Sequence, residues 1–75
     1  MNDSMYLKCQ TATDQILIHA RECRYLISDI AMNGAAILHS PSDVRRNFMA
    51  ARKELDAALA VFNATTWPTE EDYDD

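Results

Sequence analysis

A single glycine in 75 residues leaves this chain without the Gly-rich loop that cradles a phosphate group. With only two prolines, Pro41 and Pro68, long helices can run uninterrupted between them. Two cysteines, Cys9 and Cys23, are too few for a disulfide framework. They stand about 21 Å apart along a straight helix and cannot pair within it. Two unpaired thiols fit a reducing compartment, so a cytoplasmic protein is expected. No apolar run approaches the ~20 residues of a membrane span, and the N-terminus lacks a basic region leading into an apolar stretch. Neither membrane association nor a signal peptide is therefore expected.

Chemistry is equally thin. His19 and Cys23 lie four apart with Glu22 between them, but a structural zinc site needs four ligands and His39 lies beyond the turn. Packing is the better use for both, with the imidazole bonded to a neighbour, and no metal or cofactor is expected. Nucleophilic catalysis needs a base and an orienting group in a pocket, which a small helical pair does not enclose. The chain is expected not to be an enzyme.

The net charge of −5 belongs to one place. Residues 69–75 hold five acids and no base, which leaves seven acids against seven bases in the body. The body is neutral.

What is present is helical periodicity. Met5, Cys9, Ala12, Ile16, His19, Cys23, Leu26 and Ile30 recur at steps of four and three, as do Val44, Phe48, Ala51, Leu55, Ala58 and Phe62. That spacing is the seam of one helix packed lengthwise on another. The first helix is expected over about 4–33, capped by Asn2, Asp3 or Ser4 and closed by a left-handed Gly34. A rival start at Thr13-Asp14 would set residues 1–12 apart as an arm. The second helix starts at Ser40-Pro41-Ser42-Asp43, with a cap, a proline at the first position and an acid at the third, and runs over about 41–63. Between them, residues 35–38 are too apolar for a solvated loop and read as a helical extension or a lid. Residues 1–66 are thus expected to form an all-α, two-helix antiparallel hairpin. Residues 67–75 form an acidic tail without fixed structure.

A hairpin of this size is near the limit at which a single core suffices, so assembly into a homodimeric four-helix bundle is expected. The hairpin core is assigned to Cys9, Ile16, Cys23, Leu26, Ile30, Val44, Phe48, Leu55 and Phe62. The first helix carries a second apolar line, Leu7, Ile18, Tyr25 and Met32, nearly opposite its seam, and Ile16-Leu17-Ile18 points in three directions at once. A helix apolar on several sides expects neighbours on several sides. Leu7, Leu17, Ile18, Tyr25 and Met32 are therefore assigned to a dimer or partner interface, with Trp67 and Tyr73 of the tail as aromatic anchors among acids, the alternative being a solubilising tail with Trp67 folded back over the open end of the hairpin and Tyr73 incidental. Alanines 50, 51, 57, 58 and 60 either let a second backbone come close or reflect helix propensity alone.

Arg45, Arg46, Arg52 and Lys53 on the second helix, with Arg21 and Arg24 on the first, would be doubled in a dimer. This layout of hairpin, seam and polar tail resembles the Rop family of plasmid-encoded regulators, whose dimeric four-helix bundles bind paired RNA loops. The resemblance covers architecture alone, and no functional residue carries over. It implies a nucleic-acid-binding regulator as the second reading. The first reading is a non-enzymatic interaction protein, of the kind encoded by phages or mobile elements, that binds and inhibits a larger protein.

Overall fold

Proline at the first position of a helix removes one of the amides that the first turn would leave unsatisfied, and Pro41 marks the start of the second long helix. The computed structural model describes residues 3–73, and its chain is helical almost throughout: α1 Asp3–Met32, α2 Ala36–His39, α3 Pro41–Ala64 and α4 Glu70–Tyr73. Asn2 as a cap lies outside the described residues. α1 is unbroken through Thr13-Asp14, so no separate N-terminal arm exists within it. Ser40 occupies the cap position of α3, yet its hydroxyl donates to the Asp43 carboxylate instead of accepting a backbone amide.

The end of α1 differs from expectation. No described residue, Gly34 included, has a left-handed φ. The chain turns through right-handed hydrogen bonds, with Ala36 N–H donating to the Asn33 carbonyl and Ile37 N–H to that of Gly34. The Asn33 backbone N–H and side-chain amide both donate to the Asp29 carbonyl, each at 3.1 Å, so the last turn of α1 closes on its own helical bond. Residues 36–38 belong to the short helix α2, which packs against α3 with Ala36 half-buried and leaves Ile37 and Leu38 exposed.

α1 and α3 lie side by side and run in opposite senses. His19 bonds Glu54, Asp29 bonds Asn47, and Cys9 reaches the Thr66 carbonyl. The numbers in each pair add to 73–76, so a residue n on α1 is level with about 75 − n on α3. Among the described residues only Ala12, Val44, Ala51 and Ala58 are buried, and no large side chain is fully enclosed. On α1, Met5, Cys9, Ile16, His19, Cys23, Leu26 and Ile30 are the half-buried positions.

On α3 the seam is turned from the expected one. Its inward line is Val44, Asn47, Ala51, Glu54, Ala58 and Val61, buried or half-buried throughout. Phe48, Leu55 and Phe62, assigned to the hairpin core from their spacing, are 50%, 56% and 51% exposed. Both lines share Val44, Ala51 and Ala58 and differ in which neighbour completes them. In the polar line Glu54 and Asn47 each find a partner on α1, and their smaller neighbours leave the phenylalanines outside the seam.

The tail also differs in part. The Trp67 indole N–H donates to the Phe62 carbonyl at 3.0 Å, and the two rings lie 5.3 Å apart, tilted by 31°. Trp67 and Pro68 are half-buried, and residues 70–73 form one helical turn. The side chain of Tyr73 and residues 74–75 lie outside what is described.

The resulting body is a thin rod, 57 × 18 × 16 Å, with a radius of gyration of 17.2 Å. A compact domain of this length has about 11 Å. It exposes 6140 Å², against roughly 4,700 Å² for a compact chain of its mass. No helix among the described residues is long and apolar enough to cross a membrane.

Candidate interaction surfaces

Two helices side by side make a layer with two faces, and the residues flanking each seam decide what those faces are. One flank is identified by shallow grooves. Lys8, Thr11 and Gln15 of α1 line one together with Val61 and Ala64 of α3 and Thr65 just beyond it. Asp29 lines another with Asp43, Arg46 and Asn47. This is the more polar side of the layer, mixing these groups with small alanines along α3 and with Leu7 and Val61.

The other side carries the residues that follow each seam position by one. On α1 these are Thr13, Ala20 and Ile27, after Ala12, His19 and Leu26. On α3 they are Phe48, Leu55 and Phe62, after Asn47, Glu54 and Val61. Two right-handed helices running oppositely place the same offset on the same side of the layer. By the register above, Ile27 is level with Phe48, Ala20 with Leu55 and Thr13 with Phe62. Leu17 and Leu59 border this stripe, and both are exposed. The outcome is one continuous apolar face spanning both helices, edged by Arg24, Arg45 and Arg52, with Trp67 stacked at its end.

The residues assigned to an interface from sequence are thus divided. Leu17 and Trp67 fall on or beside the Phe48 face. Leu7, Ile18, Tyr25 and Met32 lie on the outer side of α1, where Leu7 borders one polar-side groove and Tyr25 and Met32 border another. Tyr25 is 78% and Met32 82% exposed, so this second stripe is fully in solvent. The spacing marks Phe48, Leu55 and Phe62 as apolar, and the structure sets them half exposed on this face instead of in the hairpin core.

The seam holds the chain's one half-buried acid–imidazole contact among the described residues. His19 Nδ1–H donates to Glu54 Oε2 at 2.6 Å, with both side chains about one-third exposed. The Asn47 amide donates to Asp29 at 3.0 Å one end further along. An alanine seam slides easily, and these two bridges fix its alignment. Glu54→Ala is expected to lower stability by about 0.5–1.5 kcal/mol, read by urea unfolding at fixed protein concentration. An unchanged midpoint would show the contact to be incidental.

Cys9 and Cys23 are free thiols. His19 is engaged by Glu54, and among the described residues no three His, Cys, Asp or Glu side chains converge as a metal site would require. The cations are spread around the rod. Arg45 and Arg52 edge the apolar face, whereas Arg46 lines a groove on the other side and pairs with Asp43 at 3.7 Å. Comparison with family models, curated proteins and solved structures finds no match to this chain.

Proposed function

We propose that the chain is a non-enzymatic interaction protein: a helical hairpin that pairs with a second copy as a four-helix bundle and, in that form, binds and blocks a surface of a larger protein. One observation carries this reading. Among the described residues only four small apolar side chains are buried, while Phe48, Leu55, Phe62, Ile18, Tyr25 and Met32 are each at least half exposed. Isolated exposed apolar residues are ordinary on monomers, but continuous apolar patches mark contacts. The Phe48 face is such a patch, and the exposed line of Ile18, Tyr25 and Met32 lies on a different side, which suits one contact with a like chain and another with an unlike one.

The second patch, Ile18, Tyr25 and Met32, is the one assigned to the larger protein. Its residues recur every seven positions along α1, as side chains entering a groove or a helix-lined surface would. The phosphate-binding alternative receives less support, because Arg46 and Arg45 serve opposite sides of the rod and form no common strip.

Ile18→Asp with Tyr25→Asp should leave the light-scattering mass and helicity unchanged. In affinity capture from the source cell, the same variant should lose the proteins that the unaltered chain retains. Identical retention by the two chains, or none by either, would remove the role assigned to this patch.

A further inference from the structure

We infer that the Phe48–Leu55–Phe62 face is covered by a second copy of this chain lying with its turn at the opposite end, so that Leu55 meets Leu55 across a two-fold axis. The inference rests on the self-association proposed above and adds which face pairs, about which axis and in which orientation.

The first argument is the symmetry of the stripe. Phe48 and Phe62 each stand seven residues from Leu55. A two-fold axis through Leu55, at right angles to the helices, brings α3 over α3 of the second copy and sets Phe48 against Phe62 in both halves of the interface. A closed two-fold contact requires such a self-complementary patch. The same operation lays α1 over α1 about Ala20, which is level with Leu55. Ile27 then faces Thr13, a large side chain against a small one, on both sides of the axis.

The second argument is charge. Arg24 edges the face on α1, and Arg45 and Arg52 edge it on α3. With turns at opposite ends, Arg24 lies over Leu17 of the second copy and Arg52 over Leu59. Both stems cover apolar surface while the guanidinium reaches water. Arg45 falls level with residue 65 of the second copy, five residues before Glu70, the first acid of its tail. With turns at the same end, α1 would instead lie over α3 of the second copy. Arg24 would then meet Arg52, and the five acids of each tail would share one end. Like charges so juxtaposed oppose association.

The third argument is area. The rod exposes roughly 1,500 Å² more than a compact chain of its mass. Stable interfaces remove about 800 Å² per partner, and obligate homodimers remove more. One face of this layer is the right size.

Leu55→Cys tests the arrangement without adding charge to the face. On mild oxidation this variant should form a disulfide-linked dimer on a non-reducing gel. Ser42→Cys should not, because its two copies would stand about 40 Å apart. The unaltered chain controls for Cys9 and Cys23. Light scattering on the reduced proteins should give twice the 8.5 kDa chain mass. A dimer that cross-links through Ser42→Cys, or fails to cross-link through Leu55→Cys, overturns the face and orientation while leaving self-association standing. An 8.5 kDa monomer overturns both.

Discussion

Leu55→Asp is expected to abolish the dimer and, with it, most of the helical far-UV signal. Among the described residues of the single chain, the buried side chains are three alanines and a valine, too little apolar surface to offset the ordering of some seventy residues. In the dimer proposed above, folding and association are therefore one event. An aspartate at the two-fold axis places two carboxylates face to face in a desolvated contact, a change of several kcal/mol in a domain whose total stability is about 5–15 kcal/mol. Leu38→Asp supplies the control. Leu38 is 84% exposed on α2, away from both apolar faces, and its replacement should shift stability by less than about 0.5 kcal/mol. If Leu55→Asp keeps full helicity as a monomer, the hairpin is self-sufficient and the apolar face has some other purpose.

The second large effect belongs to the alanines. Ala51 is the most enclosed residue described, at 3% exposure, and Ala58 lies two turns beyond it on the same line. Each stands where a longer side chain would meet the α1 backbone. Ala51→Leu or Ala58→Leu should each cost roughly 1–3 kcal/mol by overpacking, and the pair about the sum, since the sites are some 10 Å apart. Ala60→Leu, on the exposed side of the same helix, should be nearly neutral. Chemical denaturation of the three variants at one protein concentration separates close approach from helix propensity as the reason for alanine. Equal effects at all three positions would show that propensity alone accounts for them.

The helices themselves were legible because their signals are local. Pro41 dictates where α3 begins, and the four-three rhythm of α1 marks its inward side without reference to any other segment. The inward side of α3 was not legible from periodicity, because two apolar-looking lines share Val44, Ala51 and Ala58. Choosing between them depends on contacts far apart in sequence. Glu54 and Asn47 look like surface residues until His19 and Asp29 are placed opposite them. The signal existed: a turn centred near residue 37 pairs n with 75 − n, and His19 on the α1 seam then calls for a polar neighbour close to position 56. The glycine expectation failed for a related reason. The chain continues from α1 into α2 through backbone bonds to the Asn33 and Gly34 carbonyls, so Gly34 is not required to turn left-handed.

Trp67 is the chain's only indole, and it is fastened to the last turn of α3 by both its ring and its nitrogen. Its near-ultraviolet emission is therefore a built-in gauge of one extremity of the rod, blind to the turn some tens of ångströms away. Fraying at that extremity and melting of the whole can be watched as separate optical channels in an unlabelled sample, which few proteins this small permit.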